Sequence, residues 1–216
     1  YKKKDIKNFI NMVNNYFRFE NIYRKIRLRN DYNGSDYYIN NEYRLINSFN
    51  KALFYPKPVI DVRGNRDANV DKGMLDIFNV DKLFPTLNDI FNKDVILTIV
   101  NKLSNKNLKL QRINLHISNN VQNPSQFHFD QNGFIKYSIF LTDVSDAMAG
   151  PNVYIKKSHL KNNRKKISDE DIELIYGNIG DVLISYQTGY HKKLKQSSGN
   201  LTAYLVYNFT EIGQTK

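Results

Sequence analysis

The chain has 216 residues, 41% of them hydrophobic and 13% aromatic, and this composition is typical of a globular protein and argues against wholesale disorder. It contains no cysteine, which excludes disulfide bonds and thiolate metal sites and leaves histidine and carboxylate side chains as the expected metal ligands. The net charge of +11 is spread over several clusters without a nucleic-acid-binding motif, so we expect solvated faces or an anionic small-molecule substrate, and no nucleic-acid partner.

The sequence carries no membrane signal. No stretch approaches the length of a membrane span, and no charged-then-apolar leader is visible. We therefore expect a cytoplasmic protein. The pattern contains nothing that indicates an oligomeric state.

The first half of the chain is predicted to be mainly helical. Apolar residues recur there at three- and four-residue steps, which is the period of an amphipathic helix. The segments with this pattern are 1–30, 42–54, 74–83 and 86–103. Two intervening segments are polar or charged and irregular, which predicts loops, and these are 30–41 and 59–73. We expect residues 1–105 to form a helical region that supports the rest of the chain.

After Leu103 the pattern changes to short strands separated by turns. Leu108 to Ser118 alternates, with one set of side chains apolar and the other polar. The apolar set is Ile113, Leu115 and Ile117, and the polar set is Arg112, Asn114 and His116. Further strands are predicted over 126–130, 136–142, 152–157, 181–186 and 201–209. Because most of these segments lack a helix of crossover length between them, residues 106–216 are expected to form an antiparallel sandwich or barrel.

Three residues have the chemistry of a metal site. In a strand, His128 and Asp130 lie on the same face of the triplet His128-Phe129-Asp130. His191 follows later, just after the apolar run 182–184. Two imidazoles and one carboxylate on an octahedral ion leave three open positions, which is the arrangement of non-haem iron(II) oxygenases. Such a triplet also occurs by chance, and the alternative is a surface histidine beside an aspartate.

The order of three motifs resembles a known family. The motifs are Phe127-His128-Phe129-Asp130, Gly150 to Ile155 leading into Ser158-His159, and Gly180 to Ile184 leading to His191. Over residues 108–209 they resemble the phytanoyl-CoA dioxygenase-like family of iron(II)- and 2-oxoglutarate-dependent oxygenases. The resemblance implies an α+β protein of one structural domain, whose core is a double-stranded β-helix of jelly-roll or cupin-like form.

The resemblance also implies an activity and a set of ligands. His128, Asp130 and His191 match the iron ligands, whereas His159 matches a histidine that does not bind iron. The implied enzyme uses iron(II), 2-oxoglutarate as cosubstrate and dioxygen, and hydroxylates an unactivated C–H bond of a small substrate.

One departure from the family concerns the cosubstrate. Family members hold the far carboxylate of 2-oxoglutarate with an arginine near the start of the last core strand, and here Thr202 stands near that position. A buried carboxylate needs a charged or multiply hydrogen-bonded partner. The candidates to contact the cosubstrate are Asn114, His116, Lys193 and Thr202, with Arg112 and Lys136 as further cations.

Two alternatives therefore stay open. The first is an iron protein of the same fold with altered or lost use of 2-oxoglutarate. The second is a non-catalytic basic binding module in which the His/Asp set has no function.

Overall fold

The computed structural model describes most of the chain, namely residues 2–17, 37–39, 43–46, 58–62, 70–130, 134–160, 168–197 and 199–213. The α-helices in these ranges are α1 Lys3–Phe17, α2 Leu87–Ile90 and α3 Lys93–Ser104. Short 3-10 turns occupy Val80–Lys82, Ala147–Ala149 and Asp169–Asp171. No helix in these ranges is both long and apolar enough to cross a lipid bilayer.

The strands form two sheets. They are β1 Tyr37–Ile39, β2 Tyr43–Ile46, β3 Val59–Val62, β4 Met74–Phe78, β5 Leu108–Asn119, β6 Ile135–Phe140, β7 Asn152–Ile155, β8 Ile172–Ile175, β9 Val182–Tyr186, β10 His191–Lys193 and β11 Leu201–Glu211. The larger sheet has the order β1-β2-β3-β4-β5-β11-β6-β9, and the smaller has the order β10-β7-β8. All neighbours pair antiparallel except β2 and β3.

The larger sheet is built on the pairing of β5 with β11, which runs the full length of both strands. The predicted alternation of β5 is confirmed, since Ile113, Leu115 and Ile117 belong to the main hydrophobic core. On β11, the side chains of Leu205, Tyr207 and Phe209 belong to the same core. Over 112–118 of β5 and 202–208 of β11 the even-numbered residues face away from this core, and most of them line a polar pocket. Beyond the register shift of the β5–β11 pairing, the even-numbered Leu108 belongs to the core.

Helices cover the apolar face of the larger sheet. Ile6, Phe9 and Val13 recur at helical spacing on α1, and all three are buried in the core. The ring of Phe9 packs edge-on against Phe84 at 5.9 Å and Phe91 at 6.0 Å between centroids. A fully buried side chain of this size contributes roughly 1.5–3 kcal/mol of burial free energy, so α1 is held by its apolar stripe.

The prediction of a helical first half is wrong in two segments. Within 42–54, residues Tyr43–Ile46 form a strand, and within 74–83, residues Met74–Phe78 form a strand that pairs with β5. The expected loops also contain strands, at Tyr37–Ile39 and Val59–Val62. Short apolar runs do not distinguish helix from strand by period alone, and here the exposed edge of β5 supplied hydrogen-bond partners.

Other parts of the prediction hold. The segment 86–103 is helical as α2 and α3, with a break at Asn92, whose side chain accepts hydrogen bonds from the first turn of α3. The helix predicted over 1–30 is present as α1, while 18–30 lies outside the described residues. Four of the predicted back-half strands appear as β6, β7, β9 and β11. The strand predicted over 126–130 is wrong, since only His128 pairs there, in an isolated bridge to His191. The division of the chain at residue 105 stays a prediction.

Candidate metal centre and its pocket

Backbone pairing brings three potential metal ligands together. His128 and His191 form an isolated β-bridge, with their N–H and C=O groups exchanging bonds of 3.0 and 2.9 Å. The N–H of Asp130 donates to the carbonyl of Gln187 at 2.9 Å. As a result, one potential ligand atom from each of His128, Asp130 and His191 lies within 4.8 Å of the others. The Nε2 atom of His191 is 3.7 Å from Oδ2 of Asp130.

Both imidazole rings are oriented by main-chain carbonyls. Nδ1 of His128 is 2.9 Å from the carbonyl oxygen of Gln126, and Nδ1 of His191 is 2.9 Å from that of Gly189. A carbonyl oxygen can only accept a hydrogen bond, so each ring carries a proton on Nδ1. The lone pair of Nε2 is then available to a metal ion, which is how metal-binding histidines are usually held.

The electrostatics favour the protonation states that a metal needs. Burial disfavours the charged carboxylate of Asp130, but an ion pair with Lys136 and the nearby His191 outweigh it and hold the pKa of Asp130 well below its usual range. Burial, together with the positive charge of Lys136, lowers the pKa of His191 to about 4. Asp130 is therefore ionised and His191 neutral at pH 7, and both can bind a cation.

A packed support holds His191 in place. The ring of Tyr154 stacks on the His191 ring at 6.4 Å between centroids and 11° between planes, and the Tyr154 hydroxyl donates to the carbonyl of Tyr186 at 3.0 Å. Position 189 must be glycine here, because a Cβ atom would lie 1.7 Å from the Tyr154 hydroxyl oxygen. Burial raises the pKa of Tyr154 to about 12, so its hydroxyl stays a donor.

His159 lies outside the metal group. Its ring stacks on Tyr186 at 4.2 Å between centroids, and its Nδ1 atom has no hydrogen-bond partner among the described residues. The neighbouring Ser158 hydroxyl donates to the carbonyl of Ile155 at 2.6 Å and accepts from the N–H of Tyr190 at 2.8 Å. Ser158 thus ties the turn after β7 to the segment that carries His191.

The three ligands lie in a pocket lined by residues of both sheets. The polar faces of β5, β6, β9 and β11 form one wall, and register places their side chains in cross-strand rows. Arg112, Asn208, Lys136 and Ser185 form one row, and Asn114, Val206, Ser138 and Leu183 form the next. His116 pairs with Tyr204 and Ser118 pairs with Thr202 in the rows beyond.

One end of this pocket contains a buried lysine. The Nζ atom of Lys193 donates to the carbonyl of Gly150 at 2.7 Å and to the hydroxyl of Thr202 at 2.9 Å. Only 5% of Lys193 is exposed, and burial lowers its pKa to about 7. The hydroxyl of Tyr204 is buried beside it without a hydrogen-bond partner among the described residues. This end offers several donors to a ligand and no carboxylate.

Two further polar side chains project from β5. Asn114 is 2% exposed, and its Oδ1 atom has no partner among the described residues. Nδ1 of His116 is hydrogen-bonded to a carboxylate oxygen of Asp76, which is fully buried on β4. The sequence pattern did not indicate Asp76, because its segment was expected to be helical. Tyr204 was also missed, although the alternation of 202, 204 and 206 on a strand was the available signal.

The fold of the chain is similar to that of several solved structures. No protein-family profile and no curated protein sequence matches the chain. A solved structure of SnoN, a non-haem alpha-ketoglutarate-dependent epimerase from nogalamycin biosynthesis, aligns with a TM-score of 0.55 and 14% identity over 64% of this chain and 62% of that chain. SnoK, a non-haem alpha-ketoglutarate-dependent carbocyclase from the same biosynthesis, aligns with a TM-score of 0.55 and 16% identity over 65% and 64%.

HygX from Streptomyces hygroscopicus, with nickel and 2-oxoglutarate bound, aligns with a TM-score of 0.51 and 12% identity over 66% of this chain and 72% of that chain. In these two alignments the chain spans less than two thirds of the length of SnoN and SnoK. At these identities the likeness shows a shared fold.

Proposed function

We propose that this chain is a non-haem iron(II)- and 2-oxoglutarate-dependent oxygenase. The observation that carries the proposal is the convergence of His128, Asp130 and His191 in an open pocket. Within that class, the motif order favours a phytanoyl-CoA dioxygenase-like enzyme that hydroxylates an unactivated C–H bond of a small molecule. Iron in such a site couples the oxidative decarboxylation of 2-oxoglutarate to activation of dioxygen.

The strand order supports a double-stranded β-helix as the core. From β5 onwards the chain passes back and forth between the larger sheet, where it forms β5, β6, β9 and β11, and the smaller sheet, where it forms β7, β8 and β10. The bridge of His128 to His191, between β5 and β6 along the chain, adds a fourth member to the smaller sheet, and the consecutive strands β7 and β8 stay within that sheet. This double-sheet alternation is that of jelly-roll and cupin-like proteins. SnoN and SnoK depend on alpha-ketoglutarate and HygX is seen with 2-oxoglutarate, which favours the same cosubstrate here.

The donor set fits iron(II). Two neutral imidazole nitrogens and one carboxylate oxygen are the ligands that a non-haem iron oxygenase uses, and they leave positions for a chelating keto acid and dioxygen. Lys136 keeps Asp130 ionised and in place, while the carbonyls of Gln126 and Gly189 orient the two rings. The protein contributes to the chemistry by holding the three metal ligands in a fixed position and orientation.

Lys193 and Thr202 fit the far carboxylate of 2-oxoglutarate. Thr202 stands near the position of the arginine in the resembling family, and the ammonium of Lys193 donates to the Thr202 hydroxyl. The contact brings a positive charge from β10, in the smaller sheet, to the position that the arginine has in the resembling family. Because Lys193 is buried with only neutral acceptors, a carboxylate is the partner that it lacks. We assign Asn114 and His116, which line the same wall, to contacts along the cosubstrate.

Anaerobic titration of the iron(II)-loaded protein with 2-oxoglutarate tests this function. We expect a saturable visible charge-transfer band of the iron chelate that disappears in His191→Ala. His159→Ala is the matched control and should keep the band, since His159 is outside the metal group. Iron binding without a band would favour altered cosubstrate use. Failure to bind iron at all would favour the non-catalytic binding module and refute the assignment.

A further inference from the structure

Arg112 is a buried cation in the wall of the pocket. It is 9% exposed, it lines the pocket, and its Nε and Nη1 atoms are buried with no partner among the described residues. Arginine has five N–H donors and stays protonated even where burial lowers its pKa to about 10. The ring of Phe78, 5.6 Å from Cζ, supplies one cation–π contact and no acceptor. Burying a charged group without hydrogen-bond partners costs free energy, and a bound ligand that accepts its hydrogen bonds removes this cost.

The neighbouring carboxylates are engaged elsewhere. The charges of Asp130 and Asp76 both act on Arg112, and the ion pair of Asp130 and the hydrogen bond of Asp76 that the described residues show are made with other side chains. Asp130 is paired with Lys136 and belongs to the metal group, and Asp76 is paired with His116. The two carboxylates therefore attract the guanidinium through their charge. A bound anionic ligand can accept the direct hydrogen bonds that Nε and Nη1 of Arg112 lack among the described residues.

The whole pocket has an excess of positive charge. The charged residues that line it are Arg112, Asp130, Lys136, Lys192 and Lys193, so a single carboxylate faces several cations. That carboxylate is a metal ligand, and the two positive charges of iron(II) offset the two negative charges of 2-oxoglutarate. A pocket filled with both would still be positive, which favours a negatively charged molecule in the space that remains.

The position of Arg112 separates it from the proposed cosubstrate anchor. Arg112 and Ser118 are six residues apart on β5, and Ser118 pairs with Thr202, so Arg112 and Thr202 lie about 20 Å apart along the sheet. A five-carbon diacid anchored at Lys193 and chelated to the metal does not extend past the metal to Arg112. Asn208 lies between Arg112 and Lys136 in register, and Lys136 contacts Asp130. Arg112 therefore lies in the row of Lys136, beside the metal group, and three rows away from the Thr202 end that Lys193 occupies.

We propose that Arg112 binds an oxyanion group of the primary substrate, so that the enzyme acts on a small carboxylate or phosphate compound. The planar guanidinium matches either oxyanion. The neighbouring Asn208 and Lys136 offer an amide and a second cation to the same group. This inference rests on the proposed function, because it assigns the substrate of that site.

Binding of small probes to the nickel(II)-loaded protein at saturating 2-oxoglutarate tests the inference by calorimetry. The probes are 3-phenylpropanoate, its primary amide 3-phenylpropanamide, and inorganic phosphate. We expect at least one oxyanion to bind in a salt-sensitive manner and Arg112→Met to weaken it at least about tenfold. Arg112→Lys should retain part of the affinity, and the amide should bind wild type and Arg112→Met equally. Phosphate binding above carboxylate binding would indicate a phosphorylated substrate, and the reverse a carboxylic acid.

Lys109→Met is the matched control, since Lys109 is an exposed cation on the same strand outside the pocket. It should leave probe binding unchanged. Equal oxyanion binding by wild type and Arg112→Met, or none by either, would overturn the inference. Loss of the 2-oxoglutarate chelate band in Arg112→Met would also overturn it, by assigning Arg112 to the cosubstrate. An intact band without probe binding refutes this inference alone, whereas an absent band in wild type refutes the proposed function.

Discussion

Replacing Lys193 by methionine should weaken 2-oxoglutarate binding without removing the metal. Methionine has a similar length and keeps the apolar contacts of the stem, but it removes the ammonium that lies 2.9 Å from the Thr202 hydroxyl. Lys193 makes no contact with the three metal ligands in the described hydrogen bonds and ion pairs. The substitution therefore isolates the carboxylate anchor from the metal centre.

The magnitude follows from the burial of the pair. Truncating one partner of a buried, hydrogen-bonded charge pair costs roughly 2–5 kcal/mol. We take the lower part of that range, because Thr202 and the buried Tyr204 hydroxyl still offer neutral donors. A loss of about 2–3 kcal/mol raises the Kd of 2-oxoglutarate roughly 30- to 150-fold. The free protein should not lose stability, since an apolar side chain replaces a buried amine.

The assay is the anaerobic titration of the iron(II) chelate band, with iron affinity and thermal unfolding measured on the same samples. Lys195→Met is the matched control, because Lys195 is exposed and outside the pocket, and its Kd should equal that of wild type. In a second variant, Lys193→Ser combined with Thr202→Arg, we expect part of the affinity to return. An unchanged Kd in Lys193→Met would refute the anchor, and a loss of iron in that variant would refute its separation from the metal centre.

Two further substitutions test the support of the site and of the core. Gly189→Ala should displace Tyr154, because the Tyr154 hydroxyl oxygen would lie 1.7 Å from the new Cβ. Since Tyr154 stacks on His191, we expect metal affinity to fall about 10- to 100-fold in a calorimetric titration, as is usual when the groups around metal-binding histidines are changed. Wild-type metal affinity in that variant would show that the Tyr154 stack does not position His191. Tyr207→Phe removes the buried hydroxyl that donates to the carbonyl of Phe91 at 3.2 Å, and should cost about 1 kcal/mol. The Tm should then fall by about 2–4 °C, with metal binding unchanged. A larger fall in Tm would show that the Tyr207 hydroxyl stabilises the fold by more than this one hydrogen bond.

Features that depend on local geometry could be predicted from the sequence. The alternation of β5 assigned Ile113 to the core and Arg112 to the opposite face, because side chains in a strand point to opposite sides. The same rule predicted that His128 and Asp130 share a face of a strand; they do lie together in the metal group, but 126–130 is not a strand and only His128 forms an isolated bridge. Such patterns depend on period alone, so they need no knowledge of the partner strand.

Features that depend on a partner could not be predicted in this way. Met74–Phe78 has an apolar pattern that suits a short helix or a strand, and the edge of β5 decided in favour of a strand. That strand brings Asp76 to His116, a pair distant in sequence that no local pattern indicates.

The sequence by itself determined which residue types can bind a metal, their order along the chain, and which faces of the core strands are apolar. Only the tertiary structure decided that Lys193 reaches Thr202 and that Nε and Nη1 of Arg112 have no hydrogen-bond partner among the described residues. The reason is that both are relations between strands, set by register and by the packing of two sheets, whereas a periodic pattern reports only on the strand that carries it.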